Sequence, residues 1–337
     1  MLPEYMKYYY KKLPEYKQTV YLQLYQGIRI RSEKIEVETD PERISVDDLI
    51  YLLACVYNDA PSFYYLEPSK FSYSKNQSGY LIYPKYLYSE EEIKKFDSML
   101  MQGLEAFEKN YIKPQMSDYE KEKAAHDYLV YTVTYDHDSL KDEAQKEKHT
   151  EIYNVLGALL RRKAVCWGIA CAFKLLCDYC KVKCFVAIGK SRLVTSRGGH
   201  AWNIVNLEHE SYHVDVTWDL YIKGQMTFVY DYFNLTDDLI HLDHTWDDTI
   251  YPTCQSMRYN FHVRNRLYVK RLDQISGYIQ SGLQAGNRKM TFIYANDEFP
   301  WEKIKDQILE GMRLSKDVQR YCAMHNDVKH SVYLEFS

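Results

Sequence analysis

The chain has 337 residues, of which 46% are hydrophobic and 27% are charged, and its formal net charge is −4. This length and composition predict a globular protein of roughly two domains with a substantial core. The small negative charge argues against a nucleic-acid ligand or an acidic membrane surface. No apolar run approaches the roughly 18 residues that a membrane-spanning helix needs.

The first 115 residues predict a mixed α/β segment. Serine caps followed three residues later by an acidic residue mark two of its helices, and aromatic-rich stretches around a turn mark its strands. The predicted elements are a helix over residues 13–26 closed by Gly27, a strand over 28–37, a helix from Ser45 to about Tyr57, two strands within 63–88, and a helix from Ser89 to about Tyr111.

Residues 116–256 predict a second, larger segment that contains most of the polar motifs. It alternates from helices to strands, which is typical of an α+β domain. The predicted elements are a helix capped by Ser117, a helix over residues 151–160, an apolar helix from Cys166, and strands over 182–189, 200–207 and 212–218.

Residues 257–337 predict a small C-terminal α/β segment. Short apolar runs alternate with helical patterns there. The predicted elements are a strand at residues 267–269, a helix over 272–283, a strand over 290–294, a helix over 301–312 and a strand over 332–336.

Five of the eight cysteines lie between residues 166 and 184. The spacing of Cys177, Cys180 and Cys184 invites a metal-site interpretation, but no second Cys or Cys/His pair follows at zinc-finger spacing. The first two lie late in one predicted helix and the third opens a strand, so we expect buried thiols. The sequence therefore predicts neither a metal nor a cofactor, nor the disulfide framework of a small secreted domain.

Cys166 stands where a loop becomes a helix. The free N–H groups and the positive dipole end of a helix favour a thiolate at that position. His200 and Asp215 follow, each at the start of or inside a predicted strand. Cys, His and Asp in this order match a thiol nucleophile, its base and the group that orients the base.

The predicted strands over residues 200–207 and 212–218 are expected to form a hairpin that turns near Glu208 and His209. In that register His200 lies opposite Thr217, and Asp215 is its diagonal neighbour on the same face. Asp219 has the same parity and stays open as an alternative orienter. Asn203 has the opposite parity and is disfavoured.

These motifs resemble the transglutaminase-like superfamily, particularly its bacterial members that are similar to cysteine peptidases. The resemblance covers about residues 115–255 and rests on Val-Cys-x-Gly-x-Ala at Cys166, His-Ala-Trp-Asn at His200 and Val-Asp-Val-Thr-Trp-Asp at Asp215. The family usually has glycine two residues before the cysteine and an aromatic residue three after it. This chain has Ala164 and Ile169 there, both compatible with a working site.

The resemblance implies an α+β, papain-like core in which the Cys166 helix packs on an antiparallel sheet. It also implies a thiol acyl-transfer enzyme with Cys166, His200 and Asp215 as its triad. The backbone N–H of Cys166 would be one oxyanion donor. The family's upstream aromatic donor suggests Tyr135 as the second, although a tyrosine of the core or of a groove is the simpler interpretation.

Three functions follow from this resemblance. The favoured one is hydrolysis of a peptide or side-chain amide bond through a thioester. Cross-linking by acyl transfer to an amine is the second, and it requires a cleft that shields the thioester from water. A non-catalytic binding module on the same fold is the third. The expected partner is a protein or peptide substrate, with the oligomeric state left open. The N-terminus lacks the apolar region of a leader, so the expected location is the cytoplasm unless a leader has been removed.

Overall fold

The computed structural model describes residues 7–140, 150–192, 199–220, 229–315 and 318–337. The chain divides into two compact units, the first formed by Met1–Ile188 with His200–His209 and the second by Gly189–Gly199 with Glu210–Ser337. Both units mix helices with sheets, in agreement with an α+β fold. Among the described helices, none combines the length and the hydropathy that crossing a bilayer requires.

The N-terminal part of the first unit contains an antiparallel three-stranded sheet in the order β1-β3-β2. Three of its helices begin with the predicted capping boxes, at Ser45, Ser89 and Ser117. The elements are α1 (Tyr8–Lys12), α2 (Glu15–Arg29), β1 (Ile35–Glu38), α3 (Val46–Asp59), β2 (Leu66–Asn76), β3 (Gly79–Tyr86), α4 (Glu90–Tyr111) and α5 (Asp118–Thr132).

Gly27 does not close its helix as the sequence predicted. It lies inside α2, which continues to Arg29, and the following strand is limited to β1. A Cβ at Gly27 would stand 2.6 Å from the side chain of Ile35. The glycine therefore allows the close packing of β1 on α2.

The rest of the first unit positions Cys166. The predicted helix over residues 151–160 is wrong, because the chain forms a short 3₁₀ helix (Thr150–Tyr153) and a π-helical turn (Gly157–Arg161) instead. The Asn154 side chain accepts a hydrogen bond from the Leu156 N–H between these two turns. The remaining elements are β4 (Thr134–Tyr135), β5 (Lys163–Ala164), α6 (Cys166–Tyr179), β6 (Lys183–Ser191, whose last residues belong to the second unit) and β7 (His200–Leu207).

In the second unit, β8 pairs antiparallel with β9, and β10 pairs with Ser191 and Lys190 at the end of β6. A four-stranded sheet in the order β11-β12-β14-β13 follows, with α9 and α10 packed in one apolar core. The sequence missed β13. The elements are β8 (Glu210–Val214), β9 (Phe233–Leu235), α7 (Asp237–Ile240), β10 (His244–Thr245), α8 (Phe261–Arg264), β11 (Tyr268–Val269), α9 (Asp273–Gln284), β12 (Lys289–Tyr294), α10 (Trp301–Arg313), β13 (Tyr321–Asn326) and β14 (Ser331–Phe336).

Candidate functional site

Cys166 is the first residue of α6, as its sequence context predicted. The preceding Val165 offers no side-chain cap, and the first helical turn contains no acidic residue. The first N–H groups of the helix therefore have neither an intrahelical acceptor nor a competing carboxylate within the helix. The Cys166 side chain is half-buried. Cys166 thus lies at the positive end of the dipole of α6.

Two close backbone contacts hold the start of α6 in place. The Val165 N–H donates to the Ile152 carbonyl at 3.1 Å. A Cβ at Gly168 would stand 2.3 Å from the same Ile152 oxygen. Glycine at this position therefore lets the first turn of α6 lie against the 3₁₀ helix, which accounts for the glycine of the Val-Cys-x-Gly motif.

Tyr135 lies beside the segment that delivers Cys166. Strand β4 pairs in parallel with β5, so Tyr135 is the partner of Ala164, two residues before the cysteine. The next residue, Asp136, is buried and accepts hydrogen bonds from Ser139, while Lys163 Nζ stands 3.0 Å from its carboxylate. Burial opposes ionisation of Asp136, but Ser139 and Lys163 outweigh it and lower the pKa to about 2. A fixed anion thus fastens the strand of Tyr135 to the residues before the cysteine.

His200 is the first residue of β7 and is almost fully buried. Helix α6 packs on this strand, and the Asn203 side-chain amide donates to the Ala170 carbonyl at 3.0 Å. This bond joins the helix one turn after Cys166 to the strand three residues after His200. The Asn203 amide therefore connects the elements that carry the predicted nucleophile and base.

Asp215 is fully buried at the end of β8, which stops at Val214. One carboxylate oxygen accepts the N–H groups of Thr217 and Trp218 at 2.9 and 3.2 Å, which turns the chain out of the strand. The other oxygen lies 3.0 Å from Nε2 of His244. The carboxylate is thereby held by three contacts within the second unit.

The predicted strand over residues 212–218 is therefore wrong beyond Val214, because the Asp215 carboxylate competes for the backbone N–H groups. The predicted register, which made both Asp215 and Asp219 diagonal neighbours of His200, does not form, since Thr217 and Asp219 lie outside the strand. Asp219 is also buried, and its carboxylate accepts the Tyr232 N–H at 3.0 Å. The predicted turn does occur at Glu208 and His209, which both have positive φ.

His244 and Asp243 form a pair that the sequence reasoning missed. Nδ1 of His244 lies 2.6 Å from Asp243, and Nε2 faces Asp215. The Asp-His dipeptide is visible in the sequence, but no spacing rule connects it to a residue 29 positions earlier.

The cysteines differ in how exposed they are to solvent. Six of the eight are buried, Cys166 is half-buried and Cys322 is exposed. Burial raises the pKa of Cys171 to about 12 and of Cys180 to about 11, and it also raises the pKa of Cys177. Such thiols are poor nucleophiles at neutral pH.

A cleft of about 480 Å³ in the first unit has Trp167, the residue after Cys166, in its wall. The Trp167 ring packs edge-on to Tyr57 at 6.1 Å. Apolar or aromatic side chains and polar side chains line the rest of this cleft in equal number, with Glu67 and Lys70 as its charged members. The lining includes Leu66, Pro68, Leu87 and Tyr153.

A cluster in the second unit has the residue types of a metal site. Ligand atoms of His213, Asp237 and Cys254 lie within 4.8 Å of one another. However, Asp237 already contacts His213 Nε2 at 2.9 Å and accepts the Cys254 N–H at 2.9 Å. These hydrogen bonds account for the cluster without a cation.

Residues 105–216 match the profile of the transglutaminase-like superfamily. This segment includes Cys166, His200 and Asp215, and it covers a third of the chain. No curated protein matches the sequence.

Two solved structures share the similarity at low sequence identity. One is a TGase, 17% identical over 57% of this chain and 51% of that one, with a TM-score of 0.31. The other is a protein from Cytophaga hutchinsonii, provisionally named a cysteine protease, 12% identical over 44% of this chain and 61% of that one, with a TM-score of 0.27. The chain thus spans between half and two thirds of these proteins.

Proposed function

We propose that this chain, which carries a domain of the transglutaminase-like superfamily in residues 105–216, is a thiol-dependent acyl-transfer enzyme. Cys166 is the nucleophile, His200 is the base and Asp215 orients the base. The observation that carries the proposal is the position of Cys166, half-buried at the start of α6 with no acidic residue in the first turn.

The reaction proceeds through a thioester. The Cys166 thiolate attacks the carbonyl carbon of an amide, and the backbone N–H of Cys166 donates to the resulting oxyanion. His200 gives its proton to the leaving amine as the C–N bond breaks. Water then attacks the thioester while His200 accepts its proton, and the carboxylic acid is released as the C–S bond breaks.

Two groups support these steps in the proposal. Asp215 holds the His200 imidazole in the required tautomer, and the three contacts to its carboxylate suit a fixed orienter. Tyr135 is the proposed second oxyanion donor, supported by its place beside Ala164. Asp219 is the alternative to Asp215, because it is equally buried.

A peptide or protein substrate is favoured over a small polar amide by the cleft at Trp167. Its aromatic and aliphatic lining can accept an apolar side chain of the acyl donor. Hydrolysis and cross-linking share the thioester and differ only in the second nucleophile. Product analysis separates them, because hydrolysis yields a free acid and cross-linking yields an amine adduct.

The test is the rate at which iodoacetamide labels each cysteine as a function of pH, mapped by mass spectrometry. We expect Cys166 alone to label fast at about pH 6, well below the pKa of an ordinary thiol. The His200→Ala variant should lose this reactivity. If Cys166 labels no faster than the exposed Cys322, the thiolate–imidazolium pair is not formed, and the non-catalytic binding module becomes the better hypothesis.

A further inference from the structure

Four aspartates of the second unit are buried, with 3% or less of each residue exposed. They are Asp215, Asp219, Asp231 and Asp243. Among the described residues of this unit, Lys329 is the one buried lysine or arginine. Buried carboxylates require hydrogen bonds and a compensating charge. Within the described part of this unit, Lys329 is therefore the one lysine or arginine buried with this group of anions.

Lys329 contacts one of the four directly. Its Nζ lies 3.3 and 3.2 Å from the two oxygens of Asp243, and it also donates to the Leu239 carbonyl at 2.5 Å. The ammonium stands 4.6 Å from the centre of the Tyr232 ring, whose hydroxyl donates to Asp243 at 2.7 Å. Asp243 is thus held by a cation and a hydroxyl on one side.

On its other side, Asp243 faces His244. The Nδ1 contact is 2.6 Å, and Nε2 lies 3.0 Å from Asp215. Both ring nitrogens face carboxylate oxygens, so the doubly protonated ring satisfies both contacts. Titratable groups on the neighbouring elements are Tyr232, His213, His241 and Lys190.

These contacts form a continuous series from Lys329 through Asp243 and His244 to Asp215, in which basic and acidic side chains alternate. Such a series is neutral when all four groups are charged. Burial opposes ionisation of Asp243, but the hydrogen bond from His244 and the charge of Lys329 outweigh it, and the pKa of Asp243 lies below its ordinary value. Without Lys329, Asp243 would take up a proton more readily.

We propose that Lys329 is a positioning residue that keeps Asp243 ionised, so that Asp243 fixes His244 and His244 fixes the Asp215 carboxylate. The proposal rests on the proposed function in that Asp215 is taken to orient His200. It gives the C-terminal residues, which lie outside the family match, a part in the thiol chemistry.

The turn between β13 and β14 delivers Lys329. The Asn326 side-chain oxygen accepts the N–H groups of Val328 and Lys329 at 3.0 and 3.2 Å, which shapes the turn. The same turn contacts Asp231 through Asn326 Nδ2 at 3.0 Å and through Ser331 Oγ at 2.5 Å. One hairpin therefore contacts two separate aspartates. Of the three side chains that it contributes to these contacts, Lys329 is the charged one.

The test compares Lys329→Met with Ser331→Ala in the full chain. Ser331→Ala removes the bond to Asp231 from the same hairpin but leaves Lys329 on Asp243. The first readout is the carboxyl ¹³C titration of Asp243, identified by its loss in Asp243→Asn. We expect Asp243 to titrate at higher pH in Lys329→Met and to be unchanged in Ser331→Ala.

The second readout is iodoacetamide labelling of Cys166 across pH. We expect Lys329→Met to slow it roughly ten-fold at about pH 6, by analogy with the loss of a hydrogen-bond partner that orients a metal-ligating side chain. Lys329→Arg keeps the charge and should restore the wild-type profile. Ser331→Ala should stay within about two-fold of wild type on the same scale. An unchanged Asp243 titration, or equal labelling in Lys329→Met and Ser331→Ala, overturns the proposal.

Failure of the proposed function is distinguishable from failure of this inference. If wild-type Cys166 shows no fast labelling, the proposed function is wrong. The ¹³C titration alone then decides whether Lys329 keeps the Asp243 carboxylate ionised. If Lys329→Met does not fold, the double variant Lys329→Met/Asp243→Asn removes the cation and its carboxylate together. Cys166 of that double variant should still be labelled slowly. Labelling at the wild-type rate would contradict the proposed connection from Lys329 through Asp243 and His244 to Asp215.

Discussion

Each unit of this protein buries a lysine among carboxylates, and the two arrangements differ in how the charges are connected. In the first unit, Lys174 Nζ donates to both oxygens of Asp178 at 3.0 and 2.8 Å and to the Cys184 carbonyl at 3.1 Å. In the second unit, Lys329 and Asp243 are the end of a series that continues to His244 and Asp215.

In the first arrangement the hydrogen bonds of the lysine stay within α6 and the strand that follows it. All three donors of the Lys174 ammonium have acceptors, and its partner Asp178 is one turn away in α6. Burial lowers the proton affinity of Lys174, but Asp178 outweighs burial and the pKa of Lys174 is raised. Burial nevertheless raises the pKa of Asp178 to about 6, and that of Asp59 to about 6 as well.

In the second arrangement the pKa of Asp243 lies below its ordinary value. Burial lowers the pKa of Lys329, so the penalty of burial falls on the lysine and not on the carboxylate. The comparison indicates that the Lys174 group stabilises the fold around α6, whereas the Lys329 group controls the state of particular side chains. Loss of the first should therefore appear in stability, and loss of the second in reactivity.

The largest effect is expected from Asp215→Asn, at the end of the second series. Turnover of an amide substrate should fall by about four orders of magnitude, because the imidazole would be held in the wrong tautomer. Asp219→Asn is the matched control and should affect turnover far less. If Asp219→Asn causes the larger loss, the orienter has been assigned to the wrong aspartate.

Lys174→Met should have the next largest effect, on stability. Leaving Asp178 buried without its partner should lower the free energy of unfolding by about 3–5 kcal/mol in urea titrations. Lys305→Met, which breaks a solvent-accessible pair with Glu302, should change the free energy of unfolding far less. The double variant Lys174→Met/Asp178→Leu should recover most of the loss. Equal stability of the Lys174→Met and Lys305→Met proteins would contradict a structural role for the first arrangement.

The smallest effect is the pH dependence of stability between about pH 4 and pH 6. Asp59 and Asp178 have a folded pKa of about 6, above the value of 3.8 for the free side chain. The folded state thus binds more protons than the unfolded state in this window, and stability falls as pH rises. Each group contributes on the order of 1–3 kcal/mol.

Asp178→Asn should flatten this slope, measured as the urea midpoint at several pH values. Asp243 contributes with the opposite sign. Its lowered pKa gives stability that is present above about pH 4 and is lost as the pH falls further. A slope that Asp178→Asn leaves unchanged would show that Asp178 does not titrate in this window.

Local signals predicted much of the chain correctly. The capping boxes at Ser45, Ser89 and Ser117 start helices because a serine and an acidic side chain satisfy N–H groups within one turn. The start of α6 at Cys166 and the bounds of β7 were also predicted. These features depend on neighbours in sequence, which is why they could be inferred from it.

The errors in the predicted helices and strands arose where residues distant in sequence determine the backbone conformation. Gly27 lies inside a helix, and Ile35 packs closely against it. The segment before Cys166 forms two short turns, and Gly157 approaches the Glu151 carbonyl there so closely that a Cβ would stand 2.5 Å from its oxygen. Strand β8 stops at Val214 because the Asp215 carboxylate takes two N–H groups. Helical and strand periodicity contain no information on such approaches.

The sequence by itself determined the family resemblance, the candidate nucleophile at a helix start and the order of Cys166, His200 and Asp215. Only the tertiary structure decided the surroundings of Asp215, because its partner His244 is 29 residues away and Lys329 is 86 residues beyond Asp243. A hydrogen bond or ion pair depends on separation in space, and folding alone brings these groups together. The identities of the candidate groups are therefore local information, while their hydrogen bonds and ion pairs are a property of the folded chain.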